Sequence, residues 1–396
     1  MKKYRTSKKL LLPMALFLPF FLGFQSGGFQ FALLSIGKEF TLNNVYMGSL
    51  VSAQFAAMVF APLLLGPLID RFGKKKLALA SSMTFAFGCF TLFWTPTILV
   101  FILGIFLVGV GFSICQSSMS AALSDAYPGK AARYINLSQC FYGIGAVLSP
   151  VITHFLITNL GFSWKFLFGI CGLGFAILMI PLFFTQFALP PDTHNEAHES
   201  LFSLLASKKL VCLIVALAFY VAYESGFSYF INSFFTNSLN APKYAAFAIS
   251  VFWLSMIPSR IITSIFNQYR TYFIAFGFAA SSISFLLLSL VNSGLSAFLL
   301  CIALGVFSGP LWPTLVGVAT EESPENAGKI TSLMLCATGI GGAFAPTLMG
   351  TISDLISIRA SYVALGLIAF LGFALMLHFL KLKHTPHQSF NREKTI

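Results

Sequence analysis

Gly66-Pro67-Leu68-Ile69-Asp70-Arg71-Phe72-Gly73-Lys74-Lys75-Lys76 is a short polar turn between two apolar runs, residues 46–69 and 77–94. Each run is long enough to cross the roughly 30 Å hydrocarbon core of a bilayer as a helix, which takes about 20 residues. A turn this short must join two antiparallel spanning helices on one side of the membrane. Its chemistry suits that place, with an acid at a helix end, four cations within residues 71–76, and glycines where the backbone bends.

The rest of the chain agrees. Of its 396 residues 57% are hydrophobic and only 9% charged, against about 25% charged in soluble domains. This is the composition of an all-α, polytopic membrane protein. The net charge of +12 raises the question of nucleic acid, but the cations fall in alternate loops, as orientation signals do, so no nucleic-acid partner is expected. The seven cysteines lie inside apolar runs without a Cys-x-x-Cys pair and read as packing residues. No metal site is expected. His154 reads as a packed or hydrogen-bonded imidazole.

The first apolar run, from Leu10 to about Ile36, is too long for a secretory signal and reads as an uncleaved first helix. Eleven further runs follow, near 46–69, 77–94, 97–123, 134–158, 165–188, 210–236, 242–266, 271–291, 295–319, 330–352 and 361–380, making twelve spans with both termini on one side. Loops on that side carry 19 of the 24 Lys and Arg residues, which predicts cytoplasmic termini. Residues 190–209 form the one real linker, where Pro190-Pro191 stops the sixth helix and Leu201–Ala206 suits a short interfacial helix. The linker divides the chain into a bundle over 1–189 and a second over 210–396 with a short tail. The two look duplicated. A shift of 196 residues places Gly109 on Gly305 and Asp125 on Glu321, and Gly143-Ile144-Gly145 with Pro150 on Gly339-Ile340-Gly341 with Pro346. It also places Lys74 on Arg270.

The opening stretch, with its order Gly-x-Leu-x-Asp-Arg-x-Gly-Lys-Lys, resembles the signature loop between helices 2 and 3 of the major facilitator superfamily. The resemblance implies twelve transmembrane helices in two pseudo-symmetric six-helix bundles, and transport by alternating access. It also implies a conformational latch of Gly66, Asp70, Arg71, Gly73 and Lys74 with an acid at the end of helix 4, here Asp125. An anion at a helix C-terminus needs a cation or a facing helix N-terminus, which suits that role.

Once loop carboxylates are set aside, Glu224 is the one acid well within a span, about 14 residues in and so roughly 21 Å along the helix. Burying such a charge costs on the order of 2.5–3.5 kcal/mol. A carboxyl whose access to water alternates is a suitable proton carrier, so Glu224 is the candidate for proton coupling; a structural carboxyl bonded between helices is the other reading. Tyr220, Tyr223, Glu224, Phe227 and Ser228 follow helical spacing. Other polar stripes bring Gln25, Ser26 and Gln30 in the first span, Gln116 in the fourth, Asn136, Gln139 and Tyr142 in the fifth, and Trp312 in the tenth. Helices 1, 4, 7 and 10 line the central path in the superfamily, so the resemblance makes Gln25, Gln30, Gln116, Tyr220, Tyr223, Phe227 and Trp312 candidate substrate contacts, and the polar stripe of the fifth span adds Asn136, Gln139 and Tyr142. Arg260, near the end of the eighth span, reads first as a cation snorkelling to the interface and second as a candidate counter-ion for Glu224.

Four stretches are similar to the fucose-permease-like branch of sugar–proton symporters: Phe219-Tyr220-Val221 before Glu224, Ser259-Arg260, Asn136-Leu137-Ser138-Gln139 leading to Gly143-Ile144-Gly145, and Gly309-Pro310-Leu311-Trp312-Pro313. That branch keeps an acid in helix 1 and another in helix 4. Here the first helix has none and Gln116 stands in the fourth, which moves any coupling to Glu224. The expectation is a monomeric secondary transporter in a bacterial inner or plasma membrane, driven by a proton or other ion gradient without a cofactor, and carrying a sugar or related small solute. A drug or metabolite antiporter is the alternative within the class. A non-transporting sensor or an intramembrane enzyme is the alternative outside it, but no catalytic pair or phosphate-cradling loop appears.

Overall fold

The computed structural model describes residues 8–127, 130–187, 204–323 and 326–384, and side chains at 62–72 are outside that description. The described chain is helical. The first six long helices are α1 (Lys8–Glu39), α2 (Asn44–Phe72), α3 (Lys74–Phe93), α4 (Ile98–Ala126), α5 (Ala131–Thr158) and α6 (Lys165–Phe184). Then come α7 (Lys208–Ser233, extended by a π turn over Phe234–Ser238) and α8 (Ala245–Ile265). The last four are α9 (Arg270–Leu290), α10 in two pieces (Gly294–Ser308 and Leu311–Glu322), α11 (Ala327–Leu355) and α12 (Ile358–His384). Twelve stretches are long and apolar enough to cross a membrane, in the order the hydropathy predicts. The linker and its interfacial helix fall mostly outside the described residues.

Local chemistry sets the ends. Between α2 and α3 the whole reversal is made by Gly73 at φ +82°, a conformation that a side chain disfavours, which explains one glycine of the opening stretch. Thr97, Ser207 and Ser293 cap α4, α7 and the first piece of α10 by accepting from the backbone N–H of Val100, Leu210 and Ser296. The tenth span runs over Gly294–Glu322 with helical backbone angles kept through Gly309 and Pro310, but its hydrogen-bond ladder is interrupted there, because Pro310 and Pro313 each remove a backbone donor.

The helices group as two sets of six with matching neighbours: α1 packs on α5 and α6, and α3 on α4 and α6; α7 packs on α11 and α12, and α9 on α10 and α12. Gly145 of α5 lies against the backbone at Phe20 of α1, and Gly341 of α11 lies against the backbone at Ala218 of α7. A Cβ at either would overlap a carbonyl, so both glycines permit an approach that small residues commonly provide in membranes. Each half has an aromatic centre, Phe85, Phe101, Phe168 and Phe175 in the first and Phe227, Phe230, Phe234 and Tyr362 in the second. Phe87, Phe106, Phe155, Phe183, Phe247 and Phe276 point outward instead, as lipid-facing residues do.

The halves meet along α2 with α11, α5 with α8, and α1 with α7. Two of these seams use the same device. Ser52 of α2 donates to the carbonyl of Ala343 on α11, and Ser250 of α8 donates to the carbonyl of Val147 on α5 at 2.7 Å. Val147 and Ala343 are related by the repeat, and each stands three residues before a proline, Pro150 or Pro346.

Candidate transport site

Glu224 lies past the middle of α7 and is half-buried. Its Oε1 accepts from Tyr220 Oη at 2.8 Å, one turn back on the same helix. Within electrostatic reach are Tyr142 from α5 and Arg260 from α8. Ser26 of α1 lies against the hydroxyls of both Tyr142 and Tyr229.

Elsewhere in the spans polar side chains pair across helices. Gln54 of α2 donates to Gln25 of α1 at 3.1 Å, leaving Gln25 Nε2 and Gln54 Oε1 buried without a partner among the described residues. Trp253 of α8 donates through its indole N–H to Gln30 Oε1 of α1 at 3.0 Å, a bond that joins the halves. Trp312 donates to Thr338 of α11 at 3.3 Å. Amides, phenols and indoles with spare hydrogen-bonding capacity are groups that orient a neutral polar solute.

The candidate residues divide. Tyr220 is bonded to Glu224, Tyr142 lies within its electrostatic reach, and Gln30 connects to Tyr142 through Trp253, whereas Gln25 pairs with Gln54 and Trp312 with Thr338. Gln116 is half-buried on α4, next to the turn where Phe112 packs its ring against Tyr142. Gln139 is half-buried and Asn136 exposed on α5, nearer the end of the bundle that carries the termini. Tyr223 and Phe227 correct the expected stripe. Tyr223 is buried, reaches Ser308 at 3.2 Å and packs on Phe278 and Phe285, while Phe227 packs on Phe252, Phe285 and Tyr362. The α7 face they occupy is turned into the second half, because α9, α10 and α12 cover it. The snorkelling reading of Arg260 is corrected too. Its Nε donates to the carbonyl of Gly309 at 2.9 Å, inside the protein. Among the described residues no ion pair joins it to Glu224. Cys140 is exposed, unlike the buried packing cysteine expected there. His154 does pack, edge-on to Phe31, with Thr158 Oγ1 at 3.2 Å.

Gln54 and Trp253 were missed in the sequence. Gln54 sits alone in an apolar run, and only a facing glutamine distinguishes it; a tryptophan in a span reads equally well as a lipid anchor.

At the end of the bundle nearer the termini, Lys74 of α3 pairs with Asp125 of α4 at 2.5 Å. Arg270 of α9 pairs with Glu321 of α10 at the related positions. The side chains of Asp70 and Arg71, and Gly66, lie outside the described ones. At the opposite end, the carboxylate of Asp354 on α11 accepts from the backbone N–H of Asn44 and Val45 and from Asn44 Nδ2. Asn232 of α7 donates to the carbonyl of Phe31 on α1 at 2.6 Å. Hydrogen bonds between described residues of the two halves thus gather in the half of the bundle remote from the termini.

The model of the Major Facilitator Superfamily matches residues 15–346, and again 269–395. The chain belongs to the Major Facilitator Superfamily. It is a membrane transporter and not an enzyme. Among its relatives, the glucose/galactose transporter of Brucella abortus biovar 1 (strain 9-941) is 24% identical over 344 residues, 80% of this chain and 82% of that one. The chloramphenicol resistance protein CraA of Acinetobacter baumannii is 30% identical over 138 residues, 35% of this chain and 33% of that protein. Among solved structures, the bacterial homolog of the human lysosomal transporter Spinster, inward-facing and unoccupied, superposes with a TM-score of 0.75 at 16% identity, covering 96% of this chain and 100% of that one. That likeness concerns the fold alone.

Proposed function

We propose that this transporter moves a neutral sugar or closely related polar solute by proton-coupled symport, with Glu224 as the carboxyl that takes and releases the proton. The observation that carries the reading is the position of Glu224. It is half-buried past the middle of a spanning helix, held by Tyr220, and faced by Tyr142 and Arg260 from two other helices. A charge so placed is costly in a membrane and marks an ion pathway by default. Gln25, Gln30, Trp253 and Trp312, on the spanning helices, supply donors, acceptors and flat apolar faces of the kind that hold sugar hydroxyls and ring faces. The similarity to the glucose/galactose transporter, which extends over most of both chains, supports the sugar class.

The solute path runs between two rigid bodies, residues 1–189 and 210–396, joined by the linker 190–209 and rocking about the seams described above. The concentration of Lys and Arg supports cytoplasmic termini, and the similarity to a bacterial transporter supports a bacterial inner or plasma membrane. When the cytoplasmic side closes, Asp70, Arg71, Lys74 and Asp125, with Gly66 and Gly73 shaping the turn, latch the halves.

The test is uptake of D-glucose and D-galactose into proteoliposomes under an imposed pH gradient. Accumulation of either sugar with proton influx, lost in Glu224→Gln while sugar counterflow survives, is the expected result. Unchanged coupled transport in that variant removes Glu224 from the mechanism. Efflux of solute against proton entry would identify an antiporter instead.

A further inference from the structure

Trp253 of α8 and Gln30 of α1 meet across the boundary between the halves, the indole N–H donating to Gln30 Oε1 at 3.0 Å. An indole nitrogen only donates, so the atom facing it is the amide oxygen, and the amide NH2 is turned the other way. Gln30 is 3% exposed. Among the described residues its Nε2 has no hydrogen-bond partner. The bond thus fixes the sense of a buried amide and leaves two donors over. The pair of Gln25 with Gln54 differs, because two amides bonded to each other leave one donor and one acceptor.

The indole also belongs to an aromatic corner. Trp253 and Tyr142 of α5 meet edge-on, with ring centres 6.2 Å apart and planes at 75°. Phe112 of α4 meets the same tyrosine edge-on, again at 6.2 Å. A ring touched from α4 and from α8 lies between the halves and not on the lipid surface. Tyr142 and Trp253 are both half-buried, so neither ring is fully covered by protein. Two rings set at an angle beside a hydrogen-bonding amide are the parts from which a site for a small polar solute is built, the rings covering its apolar faces and the amide fixing its orientation.

We propose that Trp253 is a positioning residue for solute selection: by occupying Gln30 Oε1 it leaves the amide presenting donors alone, and the transporter selects a neutral sugar that offers an acceptor atom to that NH2. The inference rests on the sugar class proposed above, and not on Glu224 as the proton carrier. A hydroxyl oxygen meets the requirement. So does fluorine in its place, which accepts weakly and cannot donate. A hydrogen there leaves the buried amide unpaired, and an ammonium group sets donor against donor. A solute of either of the last two kinds binds about ten-fold or more weakly, the effect of one buried donor left without its partner.

The experiment is competition with D-glucose counterflow in proteoliposomes held at one pH, so that no proton gradient is needed. The competitors are the deoxy, deoxyfluoro and aminodeoxy analogues of D-glucose at each non-anomeric hydroxyl. In the wild type one position is expected at which the fluoro analogue competes within a few-fold of D-glucose while the deoxy and amino analogues are about ten-fold weaker or worse. Gln30→Met removes both donors, so at that position the deoxy analogue competes as well as D-glucose. Trp253→Phe frees the amide to turn, which readmits the amino analogue while the fluoro analogue still competes. Loss of packing alone would weaken all the analogues together and leave their order unchanged. That result overturns the proposal, as does a wild type with no such position. Should Gln30→Met fail to fold, the comparison of wild type with Trp253→Phe decides alone. Absence of D-glucose counterflow in the wild type sinks the sugar reading and this inference with it, whereas counterflow with an unchanged order of analogues in the variants sinks this inference alone.

Discussion

Asp354, at the end of α11, caps the start of α2 by accepting from the backbone N–H of Val45 at 2.9 Å and that of Asn44 at 3.2 Å. The carboxylate belongs to one half of the transporter and the helix terminus to the other. An anion here satisfies N–H groups that the first turn of a helix cannot bond internally, and meets the positive end of the helix dipole. A charged cap across a moving boundary stabilises the closed remote end in one state only, since parting the halves must break it. Loss of such a cap costs about 1 kcal/mol, a factor of roughly five in population. Asp354→Ala is therefore expected to speed maleimide labelling of Ser52→Cys, half-buried in the α2–α11 seam, by several-fold. Unchanged labelling would mean the cap contributes nothing to closure.

The ion pair of Lys74 with Asp125 and its repeat counterpart, Arg270 with Glu321, tie neighbouring helices within each half. Both pairs are partly solvent-exposed, so each contributes in the range of 0–1 kcal/mol. Asp125→Asn and Glu321→Gln are expected to lower Tm in detergent only slightly. Asp125→Asn is expected to slow solute turnover more than Glu321→Gln, because the latch proposed for the cytoplasmic side uses the first pair. Equal effects on turnover would remove Asp125 from the latch.

Close helix contact makes a sharper forecast. Gly145→Ala and Gly341→Ala place a Cβ against a backbone carbonyl, whereas Gly143→Ala meets nothing within 4 Å. Overpacking of this sort costs roughly 1–3 kcal/mol. Thermal melts should show a clear loss for the first two variants and none for the third. A neutral result at Gly145 or Gly341 would contradict the tight approach of α1 to α5 or of α7 to α11.

Trp253→Phe keeps the ring and removes the donor that Gln30 Oε1 accepts from. An unpaired buried acceptor costs about 1–3 kcal/mol. If that amide helps hold the solute, KM for D-glucose uptake rises several-fold with a smaller change in kcat. A loss of Tm with unaltered KM would assign the Trp253–Gln30 bond to packing alone.

Much of the architecture was legible in the chain. Hydropathy is a local property, so the twelve spans and their order could be read directly. Residue types at special backbone positions are local too. Gly73 at a positive φ and the prolines at Pro150 and Pro346 could be found without coordinates. The constant 196-residue shift exposed the repeat because duplicated helices keep their glycines where backbones touch, as Gly145 and Gly341 do. Glu224 stood out because a carboxyl in a span is expensive and therefore rare.

What a side chain faces is another matter. In water, a helix shows its buried side by the contrast of apolar and polar stripes. In lipid both the core and the surface are apolar, and that contrast is weak. Hence Tyr223 and Phe227, spaced to accompany Glu224, turn into the packing of the second half, and Arg260, close enough to the interface to snorkel, bends inward to Gly309. Partners such as Gln54 with Gln25, Ser52 with Ala343 and Asp354 with Val45 are far apart along the chain, and no periodicity links them. The sequence by itself determined how many times the chain crosses the membrane, where it turns and that it repeats, since those depend on transfer free energy and local backbone preference. Which residues meet between the halves was decided only by tertiary packing, because it depends on how each helix is rotated about its own axis.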